Sequence, residues 1–475
     1  MKSKEEIASE IYVRDSTEDL LKYVHLMWPV LEPGKIFIPG WHIEAICEHL
    51  EAVESGQIRN LLINIPPGHM KSLLVCVLYP SWSWIKKPQK RFITASYAQT
   101  LSTRDSVKTR DLIRSERYQK LYRPRWALKD DQDQKTRFSN TMTGSRIATS
   151  VGGSGTGERA DCLIVDDPLN AIDAHSELIR KQSVDWWFQT MSTRDADPKT
   201  TSRIVVMQRL HEKDLAGELI NRGDYVHLCL PAEFEPKRKC ITQIGWEDPR
   251  KNEGELLWPE QFGANEIGKA KKDLGSQGYS GQFQQSPVPA EGGLFKRKWW
   301  KFYKEKPKNY LRVIQFWDCA EKPGISNDYS VCATWMETQN GFYLLDLWRE
   351  KVEFPQLQAA LRTNYNKWSN FVSAVVIEDK SAGTQLIQYA KQETTLPIIP
   401  FDPAGVPKET RAISATPTVE AGNCFLPDGV TFVEDFISEH EKFPKGEHDD
   451  TVDTTSMMTK HFSQMQTLQP RIRQL

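Results

Sequence analysis

Short apolar runs alternate with helical stretches from Asn60 onward, and this alternation limits the fold more than any other feature of the chain. Residues 61–65, 92–97, 162–165 and 204–207 are each mostly apolar, strand-like runs. A strand buried on both faces reads this way, and helices between such strands call for parallel crossovers, so an α/β domain with a largely parallel sheet is expected. Residues 1–50 read as helical, with Ile43, Ile46, Leu50 and Val53 in amphipathic spacing after Gly40-Trp41-His42.

A second α/β unit is expected further along. Residues 312–320 and 331–337 read as strands, Asn340-Gly341 as a hairpin turn, 342–348 as the returning strand, and 374–377 as a buried strand before a helix from Ser381. Three antiparallel strands, a helix and a further strand is an order compatible with an RNase H-like sheet. Residues 232–310 carry Gly, Pro and polar clusters and read as an interdomain connection. Near its end, basic residues interleave with Trp299, Trp300, Phe302 and Tyr303, which could stack on bases or dock on a neighbouring domain.

The length of 475 residues fits two to three domains and a core that needs no staple. Lys plus Arg (62) nearly balance Asp plus Glu (63), which excludes a histone-like chain but not local basic patches. The eight cysteines are scattered without a C-x-x-C pair, so free buried thiols, a reducing compartment and no zinc site are expected. No apolar run reaches the ~20 residues of a membrane span, and the start, MKSKEEIASE, lacks the apolar segment of a signal peptide.

The first chemical signal is Asn64-Ile65-Pro66-Pro67-Gly68-His69-Met70-Lys71-Ser72, between an apolar strand and the apolar run Leu73-Leu74-Val75-Cys76. A turn of exposed amides leading into a helix N-terminus suits phosphate. Pro67, Gly68, His69, Met70, Lys71 and Ser72 are the candidate nucleotide contacts, Lys71 for the β/γ-phosphates and Ser72 for magnesium. Ile65 and Met70 stand where the usual loop has glycine.

The run Leu163-Ile164-Val165-Asp166-Asp167 ends a strand in two carboxylates, Asp166 for magnesium and Asp167 for the attacking water; a plain Asp-Pro turn is the bland alternative. The glycine-rich stretch before it carries Arg159, a planar cation that could reach a γ-phosphate. Gln208, after the run 204–207, is placed to sense that phosphate.

In the second unit, Asp318 lies within a strand, Glu378 ends one, and Asp450 and Asp453 share a helix face. An acid in an apolar strand is costly to bury unless paired or metal-bound. Convergence of these acids would hold two Mg²⁺ or Mn²⁺ ions about 4 Å apart for phosphodiester cleavage.

With these motifs assembled, the chain resembles the large terminase subunits of tailed bacteriophages from about Pro39 to Phe462. The blocks that carry the resemblance are residues 66–72, TGERADCLIVDDP, QRLHEKDLAG, FQQSPVPAEGGLF, EDKSAG and HDDTVD, with Trp317–Ala320 and Asn327–Ser330. It implies an N-terminal P-loop ATPase domain of the ASCE type and a C-terminal RNase H-like nuclease domain. Expected boundaries are a helical segment 1–50, the ATPase domain 51–255, a linker 256–305, the nuclease domain 306–462 and a tail 463–475.

The resemblance further implies ATP-driven translocation of double-stranded DNA into a procapsid and metal-dependent cutting of the concatemer. Portal protein, a small terminase subunit and a homo-oligomeric ring would be the partners, in the host cytoplasm and transiently at the portal vertex. Arg159 matches the arginine given to a neighbouring subunit's ATP. Asp318, Glu378 and Asp450 match the nuclease acids, with Asp328 and Asp453 as supplements. A helicase with an inert RNase H-like appendage and a non-enzymatic portal adaptor are the alternatives.

Overall fold

The computed structural model describes residues 4–153, 157–287, 293–320 and 329–468. The chain divides into two compact units, one of Met1–Lys271 with Ser276–Pro289, the other of Lys272–Gly275 with Ala290–Leu475.

The first unit is built on β1 (Asn60–Asn64), β2 (Arg91–Ser96), β3 (Leu128–Asp133), β4 (Arg137–Asn140), β5 (Ser145–Ser150), β6 (Cys162–Asp166), β7 (Ser202–Met207) and β8 (Val226–Cys229). They form one sheet in the order β3-β4-β5-β2-β6-β7-β1-β8. The pairings from β5 through β8 are parallel, and β3 and β4 add an antiparallel edge. Side chains alternate across it: Leu61, Ile63, Cys162, Ile164, Ile204 and Val206 join one core, while Leu62, Leu163, Val165, Val205 and Met207 join another. Both faces are therefore dry, which is why these strands read as mostly apolar runs. The expected amphipathic helix, Trp41–Ser55, and the helix Leu20–Leu31 cover the first face.

β7 separates β1, which leads into the candidate phosphate loop, from β6, which ends at Asp166 with Asp167 next. This is the ASCE-type order. The helix after the loop opens with a π turn over Leu73–Leu78 and continues as α-helix over Tyr79–Lys86. Pro80 has no N–H to offer the carbonyl four residues back. That carbonyl, on Cys76, instead accepts the Thr109 hydroxyl at 3.2 Å.

The second unit has β9 (Lys301–Tyr303), β10 (Arg312–Asp318), β11 (Ser330–Thr338), β12 (Gly341–Glu350), β13 (Val372–Glu378), β14 (Ile398–Phe401) and β15 (Cys424–Pro427) in the order β14-β13-β10-β11-β12-β15-β9. β10, β11 and β12 run antiparallel to one another, and β13 returns parallel to β10. Ile314 and Phe316 of β10 and Ala374 and Val376 of β13 face one core, with Val452, Met457, Met458 and Phe462 of the helix Asp450–Leu468. Alternation by two places Asp318 and Glu378 on that same face. The fold thus aims both strand acids at the helix that carries Asp450 and Asp453.

Two expectations, the linker and the hairpin turn, need correction, and one open alternative is decided. The stretch 256–305 is not a free linker: it holds the helix Ala264–Gln282, and Trp258, Phe283 and Gln285 are buried in the first unit. Phe295 and Trp300 are buried in the second unit, where Trp300 packs on Phe436 and His440, so these two aromatics dock rather than face solvent. The hairpin after β11 turns on Gln339-Asn340, one residue earlier than expected, and Gly341 pairs with Thr338. Gly341 is required there because a Cβ would come 2.3 Å from the Asn423 carbonyl oxygen.

The helix Asp450–Leu468 extends into the expected tail, the rest of which lies outside the described residues. All eight cysteines are free, as expected. Among the described residues no helix is long and apolar enough to cross a membrane.

Candidate functional site

In the first unit the loop after β1 turns with two residues in the left-handed region, Gly68 at φ 80° and Met70 at φ 63°. Met70 bears a side chain in a conformation that favours glycine, a strain the surrounding packing has to hold. A Cβ on Gly68 would come 2.7 Å from the Phe262 ring. His69 stacks on that ring at 4.4 Å between centroids, and its Nδ1 lies 2.9 Å from the Pro67 carbonyl oxygen. Burial lowers its pKa to about 4 and keeps it neutral. Of the expected contacts, His69 is therefore buried, its ring committed to Phe262 and the Pro67 carbonyl.

Lys71 Nζ lies 2.8 Å from the Asp167 carboxylate. Burial disfavours its charge, but Asp167 and Asp166 outweigh that and raise its pKa. Asp166 ends β6 at 6% exposure. Its pKa rises to about 7, first because it is buried and then because Asp167 is near, against the pull of Lys71 and a hydrogen bond from Ser72. Among the described residues its Oδ1 has no hydrogen-bond partner. A buried carboxylate with an open oxygen beside a hydroxyl is a donor set that fits a small hard cation.

Asp105 and Cys76 come within 4.8 Å of Asp166. Asp105 was missed because an acid inside the helix Gln99–Arg114 carries no local signal. Asp167 sits at φ 41°, and the Gln208 amide donates to its Oδ1 at 3.2 Å. Gln208 Oε1 is buried without a hydrogen-bond partner among the described residues.

Arg159 stands before β6, at the opposite end from Asp166. Its Nη1 donates to the Asp195 carbonyl at 2.7 Å. The neighbouring block after β7 is structural. Arg209 and Asp214 form a buried pair at 3.0 Å, and Asp214 caps the helix Leu215–Arg222 through the Gly217 amide.

In the second unit Asp318, Glu378, Asp450 and Asp453 are 8%, 5%, 2% and 3% exposed. The pKa of Asp318 stands well above the carboxylate range, through burial and then the charge of Asp453, with Glu378 and Asp450 adding and Lys408 opposing. The four acids therefore share one electrostatic cluster. Asp328 lies outside the described residues. Asp449 is a third exposed and pairs with Lys408, so Asp450 is the member of that adjacent pair turned into the cluster. Asp450 accepts from the Tyr329 amide at 3.3 Å and lies 3.7 Å from Arg349.

Glu378 is set by the turn that follows it. Gly383 approaches so closely that a Cβ would stand 2.0 Å from the Glu378 carbonyl oxygen. Lys408, Arg411 and Arg349 were all missed. Each pairs with acids far away in sequence, and nothing local marks them. These four buried carboxylates come from two strands and a helix, and their oxygens are the ligand type that Mg²⁺ and Mn²⁺ take.

Residues 315–462 match the family model described as the terminase RNaseH-like domain. The C-terminal unit is similar to that domain over these residues and has an RNase H-like fold. This stretch holds the four acids, and over 87% of its length the chain shares the fold of a phage large terminase. The large terminase from the thermophilic bacteriophage D6E, in crystal form 2, superposes with a TM-score of 0.52 at 9% identity, over 87% of this chain and 98% of that one. The D6E enzyme in complex with ATP-γ-S gives a TM-score of 0.50 at 10% identity, over 86% and 97%. At this identity the likeness is one of fold. No curated protein matches the sequence.

Proposed function

We propose that the chain is a large terminase subunit, an ATP-driven motor for double-stranded DNA joined to a metal-dependent endonuclease. The observation that carries this reading is that one chain holds a phosphate-loop lysine set against an acid pair and, in its other unit, four converging buried carboxylates. The fold shared with D6E large terminase, which has been seen with ADP and with ATP-γ-S, supports it.

In the first unit, the amides of Pro67–Met70 that carry an N–H and the Lys71 ammonium would hold the β- and γ-phosphates, and Ser72 and Asp166 would hold magnesium. Asp167, gripped by the Gln208 amide, would orient or deprotonate the attacking water. Gln208 would sense the γ-phosphate. Arg159 precedes β6, at the end of the strand opposite Asp166, and would act on a neighbouring subunit's nucleotide, which calls for a ring of subunits on the portal vertex.

In the second unit, Asp318, Glu378, Asp450 and Asp453 would hold two divalent ions, with Asp328 as a possible further ligand. Divalent ions bound there would activate water and neutralise charge on the leaving oxygen. The low exposure of the acids excludes bulk water, and the shared sheet face of Asp318 and Glu378 aims both at the helix that carries Asp450 and Asp453. DNA grip would be mostly phosphate contact and therefore salt-sensitive. The partners would be double-stranded DNA, portal protein and a small terminase subunit, in the host cytoplasm and at the procapsid.

The test is paired assays on the full chain: ATP hydrolysis with and without DNA, and Mn²⁺-dependent nicking of plasmid. Both activities support the reading. ATP-driven DNA unwinding with no cleavage under Mg²⁺ or Mn²⁺ would favour the helicase alternative, and neither activity would favour the adaptor.

A further inference from the structure

Two basic residues stand inside the carboxylate cluster of the second unit. Both lie on the helix Lys408–Glu420, three positions apart and so on one face. Arg411 is 7% exposed, with Nη1 2.8 Å from Glu378 Oε1 and Nη2 3.0 Å from Asp453 Oδ1. It ties the acid at the end of β13 to an acid of the helix Asp450–Leu468. Lys408 is more open, with 39% of its side chain exposed and Nζ 2.7 Å from Asp453 and 2.9 Å from Asp449.

The two cations differ in what they can do. A planar guanidinium that gives one N–H to each of two carboxylates fixes their separation and leaves their other oxygens available. An ammonium on a flexible stem is a point charge that moves easily. Asp449 offers Lys408 a partner on the rim, so the lysine can leave Asp453 without losing its ion pair.

We infer that Lys408 and Arg411 are positioning residues of the metal site with opposite effects on its ion affinity. Arg411 holds Glu378 and Asp453 at the spacing an ion uses. Lys408 competes with the ion for Asp453 and retires to Asp449 when the ion binds. Asp449 is on this account the anchor of the displaced lysine rather than a metal ligand. The inference rests on the reading of the four acids as a divalent-ion site.

The test is calorimetric titration of Mn²⁺ into the full chain carrying Asp166→Asn, which quiets the ion site of the first unit. Lys408→Met is expected to tighten Mn²⁺ binding about fivefold, the scale of a partly exposed ion pair. Lys408→Arg keeps the competing charge and is expected to stay near the parent. Arg411→Met and Arg411→Lys are expected to weaken binding about fivefold or more. If Arg411→Met does not fold by circular dichroism, the charge-conserving lysine variant carries the comparison.

Opposite signs at two residues one turn apart would not arise from general loss of structure. Unchanged or weaker Mn²⁺ binding by Lys408→Met, or unchanged binding by Arg411→Lys, overturns the inference. If the parent shows no Mn²⁺ binding that Asp318→Asn removes, the ion-site reading fails and the inference with it. If Asp318→Asn removes binding but Lys408→Met does not tighten it, the inference alone fails.

Discussion

The ammonium of Lys71 lies 2.8 Å from the carboxylate of Asp167, so the phosphate loop after β1 and the acid after β6 are joined across the end of the intervening strand. A γ-phosphate would compete with Asp167 for the same ammonium, and taking it would free the carboxylate for water. Asp167→Asn keeps the shape and removes the base. Hydrolysis should fall at least ~100-fold, the usual worth of general base catalysis, while binding of a fluorescent ATP analogue is kept or tightened. Near-normal turnover by this variant would take Asp167 out of the chemistry.

The turn after β13 gives a separate handle on the other site. Gly383→Ala would drive a Cβ to within 2.0 Å of the Glu378 carbonyl oxygen, so the backbone that carries the Glu378 carboxylate has to move. A displacement of about 1 Å can cost ~100-fold in rate. Mn²⁺-dependent nicking should drop by at least about tenfold, with ATP hydrolysis unaffected. Unchanged nicking would mean that Glu378 is not held by this turn.

Asp214 is fully buried and accepts from Arg209 Nε at 3.0 Å and from the amides of Leu210 at 2.9 Å and Gly217 at 2.8 Å. Asp214→Ala leaves the Arg209 charge buried without its carboxylate, which costs about 3–5 kcal/mol. Urea unfolding should show an earlier transition for the first unit alone. A midpoint equal to the parent's would mean that the pair contributes little.

Acid should weaken the second unit through His440. Its ring is fully buried, with Nδ1 2.8 Å from the Phe436 carbonyl oxygen and Nε2 2.9 Å from the Thr455 hydroxyl, and burial lowers its pKa to about 3. The folded pKa lies below the ordinary histidine value, so the unfolded chain binds the proton more readily. Stability is then full above the ordinary value and is lost as pH falls from ~6.5 toward 3. At pH 5 the loss is about 2 kcal/mol from this group. Thermal melts across that range should show the parent losing stability relative to His440→Gln as pH falls, the raised carboxylates of the acid cluster being common to both.

What was legible in the sequence followed from local pattern. The dry strands of the first sheet announced themselves as apolar runs, and Asp166, Asp318 and Glu378 stood out because each interrupts or ends one. The antiparallel edge was not legible, since Leu128–Asp133 is mostly polar and has one sheet neighbour. The stretch around Trp258 and Gln285 looked like a linker because its burial comes from contacts remote in sequence, such as the Arg209 amide donating to Gln285 Oε1 at 3.0 Å. Asp105, Lys408 and Arg411 escaped for the same reason. Each acquires its meaning from a carboxylate more than thirty positions away.

The central claim is that two chemistries occupy separate units of one chain. It is tested most directly by assaying Lys71→Ala and Asp318→Asn side by side for ATP hydrolysis and for Mn²⁺-dependent plasmid nicking. Lys71→Ala is predicted to lose hydrolysis and keep nicking, and Asp318→Asn to lose nicking and keep hydrolysis. Loss of both activities in each variant, or of neither, would contradict the account.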